Sequence, residues 1–148
     1  MITFDDASWP LLTVSFTGKN SLQDFDAYLE KVTEYLHRGE KHVVVLDTRG
    51  LTTGPTLEQR QRQVGWIHAN LSALRQRSLG NAFVITSPFI RLAMNIVYQL
   101  QPLPTPYTIV GDIKVARSWA LGRLQAAGLP LPPVMESGRR GSAGAGSA

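Results

Sequence analysis

The fold of this chain is decided by the stretch Lys41–Gln63, KHVVVLDTRGLTTGPTLEQRQRQ, which joins an apolar run, a Thr/Gly loop and a polar helix start. The apolar run His42–Leu46 contains three successive valines. It is too short for a helix and is typical of a strand covered on both faces. Asp47 follows it, at the strand end where open α/β sheets place their functional loops. We therefore predict a buried central strand that delivers a polar loop to one edge of an α/β sheet.

The loop after this strand leads into a helix with a clear start. Thr56–Gln59 matches the S/T-x-x-E/Q capping box, in which the two end side chains satisfy free backbone amides. The helix is predicted over Leu57–Arg77, and Gly80 would end it. Its first turns, EQRQRQ, are wholly polar, so they should face water or a partner.

Alternation and capping patterns place the remaining elements around this stretch. Apolar and polar residues alternate over 2–5 and 12–17, which predicts two antiparallel strands, and a helix follows between Ser21 and Gly39. Four further elements, alternately strand and helix, are predicted over Asn81–Thr86, Pro88–Leu100, Tyr107–Val110 and Asp112–Gly128. The order β-β-α-β-α-β-α-β-α predicts an α/β fold with a mixed, mostly parallel sheet.

The helix Pro88–Leu100 is apolar over most of its surface and needs cover on more than one side. One interpretation is that part of it forms a homodimer interface, a partner groove or a pocket for an apolar ligand. The other is that the last helix and the proline-rich segment before it cover this surface. The residues that would form the interface or pocket are Phe89, Leu92, Ile96 and Tyr98.

Length and composition indicate one soluble domain. The chain has 148 residues, of which 43% are hydrophobic and 18% charged, enough to bury a core of its own. We expect a single domain over 1–134 and a disordered Gly/Ser/Ala/Arg tail over 135–148. No apolar run reaches the length of a membrane span, and MITFDDASWP lacks the features of a signal peptide. A cytoplasmic location is the expectation.

The net charge of +4 is unevenly distributed. Residues 1–40 hold seven acids against three bases, whereas residues 41–148 hold four acids against twelve bases. The arginines of the second helix are widely spaced, which indicates a solvated face and argues against nucleic-acid binding. The asymmetry would suit self-association or an acidic protein partner.

The sequence contains no pattern that indicates catalysis or a cofactor. It has no cysteine, and His37, His42 and His68 share no metal-ligand spacing. The glycine-bearing loop 50–54 lacks the lysine of a phosphate-binding loop. Asp47, a lone carboxylate, is expected to hold loop amides. We predict a non-enzymatic protein without metal or cofactor, and an enzyme of unnamed reaction is a third option.

With these elements in this order, the chain resembles the STAS domain, the fold of anti-anti-sigma factors and of the cytoplasmic tails of anion transporters. The resemblance covers roughly residues 1–128 and rests on the element order and on the VVVLD strand that runs into a threonine loop and a new helix. It implies a protein-interaction module in bacterial signalling or regulation.

Members of that family carry Asp-Ser-Ser-Gly at the helix start, and a partner kinase phosphorylates its serine. Placing Asp47 on the family's strand-end aspartate puts Thr56 near the phosphorylated position, which makes Thr56 a possible phosphosite. Pro55 replaces the preceding acid and Leu57 the second serine, so the motif itself is absent. A helix cap at Thr56 is the simpler interpretation.

The leading functional prediction is a STAS-like module that binds another protein through the loop and the helix start. The alternative is a carrier of a small apolar ligand or lipid that uses the apolar third helix as a pocket wall. A homo-oligomer is compatible with both. The residues predicted to bind a partner are Thr48, Thr52, Thr53, Thr56, Gln59, Arg60, Arg62 and Gln63.

Overall fold

A computed structural model describes residues 1–132, which form five strands and five helices. The strands are β1 (Ile2–Asp5), β2 (Leu11–Gly18), β3 (His42–Leu51), β4 (Ser78–Val84) and β5 (Tyr107–Val110). The helices are α1 (Leu22–Leu36), α2 (Leu57–Ala69), α3 (Leu71–Arg77), α4 (Pro88–Leu100) and α5 (Ile113–Ala126). The predicted tail, 135–148, lies outside the described residues.

The five strands form one sheet in the order β1-β2-β3-β4-β5. β1 pairs with β2 in antiparallel fashion, and the other three pairs are parallel. β3, which carries the three valines, therefore lies in the middle of the sheet. The predicted fold class, a mixed and mostly parallel α/β sheet, is confirmed.

The predicted helix starts are confirmed by their capping contacts. Ser21 and Asp24 form a capping box at α1, and Thr56 and Gln59 form another at α2. In the second box the backbone amide of Gln59 donates to the Thr56 hydroxyl at 3.1 Å, and the backbone amide of Thr56 donates to the side-chain oxygen of Gln59 at 3.0 Å. Each box supplies acceptors for backbone amides that have no partner within the helix.

The central strand is longer than predicted, because β2 continues beside it. Gly50 and Leu51 still pair with the end of β2, so the strand does not end at Leu46. Asp47 and Thr48 consequently lie within β3, and the Thr48 hydroxyl donates to the carbonyl oxygen of Val84 at 2.8 Å. The loop between β3 and α2 is reduced to 52–56.

The predicted helix over Leu57–Arg77 is two helices, α2 and α3, separated at Asn70. The Asn70 side-chain amide donates to the carbonyl oxygen of Trp66 at 2.8 Å, a local bond of the kind that competes with helix continuation. Gly80 does not end the helix but lies inside β4, where it is needed for packing. A Cβ atom at this position would lie 2.6 Å from the Trp119 ring.

The sheet separates two cores of different composition. On one face, α5 contacts β3, β4 and β5. The buried side chains of this core are all aliphatic: Leu11, Val43, Val45, Ala82, Val84, Ala116, Ala120, Leu121 and Leu124. On the other face, α1 to α4 cover a larger core rich in aromatic residues. Within residues 1–132 no helix combines the length and apolar character needed to cross a membrane.

Candidate ligand cavity

The aromatic face of the sheet encloses a cavity of about 150 Å³ beneath α1, α2 and α4. Its floor includes Val44 and Leu46 of β3 and Phe83 of β4. Its walls include Tyr28 of α1 and Met94 of α4. Most of the lining is apolar, as is usual for small-molecule sites.

The cavity exists because the helices above it pack mainly on one another. The main contacts of α2 are with α1 and α4. Tyr98 of α4 lies against Phe83 of the sheet, with ring centroids 5.6 Å apart. A large aromatic side chain thus occupies the space between the helix and the strand.

Polar contacts hold α2 against α1. The Trp66 indole nitrogen donates to the Thr33 hydroxyl at 2.8 Å, and the Gln59 side chain donates to the carbonyl oxygen of Asn20 at 3.0 Å. Arg62 pairs with Asp26 at 2.7 Å. These bonds position α2 above the cavity without requiring it to pack on the strands. Trp66 is partly buried and lines the cavity.

Two cationic residues, Lys19 and Arg60, line the cavity. The Nε atom of Arg60 is buried without a hydrogen-bond partner among the described residues. A buried donor that lacks an acceptor costs about 1–3 kcal/mol, and more when it is charged. An anionic ligand group would supply the missing acceptor.

Two buried tyrosines bring further hydroxyl groups to the cavity lining. Burial raises the pKa of Tyr28, and burial together with the nearby Tyr28 and Tyr107 raises the pKa of Tyr98. Both therefore stay protonated at neutral pH and can act as donors.

The buried polar residues all lie on this side of the sheet. Among residues 1–132 they are His42, Thr48, Gln59 and Ser78, and each lines the cavity. Burial lowers the pKa of His42, and its Nδ1 lies 3.0 Å from the carbonyl oxygen of Glu40. This histidine is therefore neutral at pH 7.

The predicted partner-binding residues fall into two groups. Thr52, Thr53 and Arg62 are exposed, although Arg62 is already paired with Asp26. Thr56 is exposed as a residue, but its hydroxyl caps α2. These positions can be reached from solvent, and partner binding there stays a prediction.

The second group points inward, contrary to expectation. Thr48 and Gln59 are buried, and the side-chain amide of Gln59 is occupied by bonds within the chain. Arg60 and Gln63 are partly buried and line the cavity. The helix start EQRQRQ is thus not wholly exposed, because α1 and α4 lie on either side of it.

The predicted interface or pocket residues of α4 divide in the same way. Phe89, Leu92 and Ile96 are exposed, whereas Tyr98 is buried in the cavity wall. The inward face of α4 is completed by Ile90, Met94 and Val97, which the sequence interpretation did not select. The helix therefore has two apolar faces, one toward the cavity and one toward solvent.

Asp47 was expected to hold loop amides at a strand end, but it lies within β3 and its contacts are with Arg49 of the same strand. Its carboxylate accepts the backbone amide of Arg49 at 3.1 Å and pairs with the Arg49 guanidinium at 2.8 Å. This contact lowers the pKa of Asp47. In the described part of the chain, no three His, Asp or Glu side chains group in a way that could hold a metal ion.

Comparison with known proteins supports the fold. The chain is similar to an uncharacterised protein of the DUF3478 family from Shewanella loihica PV-4, whose crystal structure is described as having a SpoIIAA-like fold. The TM-score is 0.57 at 15% sequence identity, over 81% of this chain and 92% of that one. No family model matches the sequence, and no curated protein matches it. The chain thus has a SpoIIAA-like fold, the fold of STAS domains.

Proposed function

We propose that this protein binds a small amphipathic molecule, with its apolar part in the cavity and an anionic group on Arg60. The observation that carries this proposal is the buried, unpartnered Arg60 Nε beside a mostly apolar cavity. The proposed activity is binding, not catalysis.

The size of the cavity limits the ligand. A cavity of about 150 Å³ can hold a single ring or a short alkyl chain, so a large folded lipid would not fit without movement of the helices. The head group should be a hydrogen-bond acceptor with a negative charge, since the guanidinium offers only donors. Short-chain and aromatic carboxylates meet both conditions.

Calorimetric titration with octanoate and with 1-octanol tests this proposal. Both have the same chain length, and only octanoate has the charge. We expect the wild-type protein to bind octanoate more tightly. Arg60→Met should weaken octanoate binding by about tenfold or more, because a hydrogen bond to a charged group contributes about 1.5–3 kcal/mol. Binding of octanol should change little.

Arg75→Met is the matched control, because Arg75 is an exposed arginine of α3 that does not line the cavity. It should bind octanoate as the wild type does. If neither probe binds, and native mass spectrometry of protein purified from its host shows no retained molecule, the ligand-binding proposal is wrong.

A second candidate function is the STAS-like interaction module in bacterial signalling. It is favoured by the exposed loop Thr52–Gly54 and by the exposed side chain of Leu57, which together form an accessible helix start. Pull-down from the native host with wild type and with Leu57→Ser would test it. Retention of every partner by the variant would count against this surface.

A further inference from the structure

The cavity face of β3 has polar residues at both ends and apolar residues between them. Successive side chains of a strand point to opposite faces of the sheet. From His42 to Thr48, every second side chain of β3 lines the cavity, and these residues are His42, Val44, Leu46 and Thr48. The cavity floor therefore passes from a polar end through an apolar middle to a second polar end.

The two ends differ in charge. At the carboxyl end of the parallel strands, Lys19 follows β2 and Arg60 lies in the first turns of α2, and both line the cavity. At the amino end, His42 of β3 lies opposite Ser78 of β4 in the strand register, and Asn81 lies opposite Val44. The side chains of His42, Ser78 and Asn81 also line the cavity. The amino end thus offers neutral hydrogen-bonding groups where the carboxyl end offers cations.

His42 supplies an acceptor at the amino end. Its side chain is almost fully buried, and its Nδ1 lies 3.0 Å from the carbonyl oxygen of Glu40. A carbonyl oxygen only accepts, so Nδ1 carries the proton of the neutral ring and Nε2 is the acceptor. The Ser78 hydroxyl, 3.4 Å from the Thr105 hydroxyl, can both donate and accept. A ligand hydroxyl is a partner that suits both groups.

The charges around His42 disfavour an ionic group at this end. Burial lowers the pKa of His42, and the positive charges of Arg38 and Arg77 add to this effect. They would repel an ammonium group. Neither arginine lines the cavity, and Arg77 already donates to the carbonyl oxygen of Leu36 at 3.0 Å. A buried carboxylate would therefore have no cation beside it in the cavity lining, whereas a hydroxyl needs none.

We propose that His42 and Ser78 form a second polar subsite, which receives a hydroxyl group at the end of the ligand remote from its carboxylate. The inference rests on the proposed function, in which the carboxylate lies on Arg60. It names the ligand class as acids that carry a terminal hydroxyl group.

Calorimetric titration with two matched series of acids tests the proposal. The first series is hexanoate, octanoate, decanoate and dodecanoate, and the second is their ω-hydroxy derivatives. In acids too short to reach His42, the hydroxyl should weaken binding by about tenfold, because it is buried beside Val44 and Leu46 without a partner. In the acid that reaches His42, the hydroxy derivative should bind at least as tightly as the parent acid.

His42→Phe removes the acceptor and keeps an aromatic ring against Trp9, which stacks on His42 with centroids 5.1 Å apart. It should weaken binding of that hydroxy acid by about tenfold and leave the parent acid unchanged. Unchanged binding of the parent acid also shows that the variant is folded. Ser78→Ala adds no volume and should weaken the same hydroxy acid by about threefold.

His68→Phe is the matched control, because His68 is an exposed histidine of α2 that does not line the cavity. It should bind both series as the wild type does. A hydroxyl that weakens binding at every chain length would overturn the proposal. So would a preference for the hydroxy acid that survives both His42→Phe and Ser78→Ala, or tighter binding of decanedioate than of the hydroxy acids.

This inference and the proposed function fail in different ways. If the parent acids do not bind, the proposed function is wrong. If the parent acids bind through Arg60 but no hydroxy derivative matches its parent, the proposed function stands and only the second subsite is wrong.

Discussion

The two faces of the sheet are covered by helices in different ways. On the α5 face, small side chains such as Ala116 and Ala120 let one helix lie directly on three strands. On the opposite face, aromatic side chains such as Tyr28 and Tyr98 stand between the helices and the sheet. The first face is a closed aliphatic core, and the second leaves a cavity.

The distribution of buried polar groups follows the same division. The four buried polar residues of the described chain all line the cavity. A buried polar group needs a partner or a solvated space, and a close-packed aliphatic layer offers neither. The closed face therefore serves stability, while the open face can accommodate a ligand. Three measurements test this difference between the two faces of the sheet.

The two faces should differ most in the stability that is lost when a buried side chain is truncated. Leu124 of α5 is fully buried against the sheet, and Leu124→Ala should lower the free energy of unfolding by about 3 kcal/mol, because a new void forms in a packed core. Met94→Ala enlarges a cavity that already exists and should cost about 1 kcal/mol. Urea unfolding of both variants measures the difference. Equal losses would mean that the two faces are equally well packed.

A larger side chain should be tolerated at the cavity and should destabilise the closely packed α5 face. Ala120→Leu should cost about 2 kcal/mol, because the added methyl groups must displace β3, β4 or β5. Val44→Ile, which adds one methyl group toward the cavity, should change the free energy of unfolding by less than about 0.5 kcal/mol. Thermal unfolding compares the two variants. A large loss for Val44→Ile would show that the cavity floor cannot accept additional volume.

The smallest effect is a pH dependence confined to the open face. Burial lowers the pKa of His42, with Arg38 and Arg77 adding to this shift and Glu40 opposing it. Below about pH 6.5 the unfolded chain binds a proton that the folded chain does not yet accept, so stability should fall as the pH falls. Unfolding curves at pH 7.5 and 5.5 measure this decline. These values are roughly one unit above and below the ordinary histidine pKa.

His42→Gln provides the comparison, because an amide can still donate to the carbonyl oxygen of Glu40. In this variant the part of the decline that comes from His42 should disappear. A decline of the same size in the wild type and the variant would assign the pH dependence to other groups.

The element order could be predicted from the sequence because each signal is local. The two capping boxes and the run of valines each specify one element through neighbouring residues, and the structure confirms them. The end of β3 was wrongly predicted, since it depends on how far β2 continues alongside it. The break at Asn70 depends on one side-chain hydrogen bond that the apolar stripe across α2 and α3 does not reveal.

From the sequence, a cavity was one of several alternatives for the apolar helix Pro88–Leu100, beside a homodimer interface and a partner groove. Its volume depends on the spacing between helices and sheet, which Tyr28, Phe83 and Tyr98 set together from three separate elements. Tyr28 lies beside Phe25 on α1, and nothing in the local sequence pattern distinguishes it as a residue that lines a cavity. Burial of Gln59 could have been inferred from its capping role, since the capping side chain folds back toward the chain.

The strand order has a consequence for biosynthesis. Since neighbours in the sheet are also successive in the chain, each newly emerged strand can add to an edge that already exists. Among the described elements, the helix that covers Val43, Val45 and Val84 is the last to be made. A nascent chain halted before residue 113 would present a bare aliphatic layer, and we expect chaperones to engage the chain at that stage of translation.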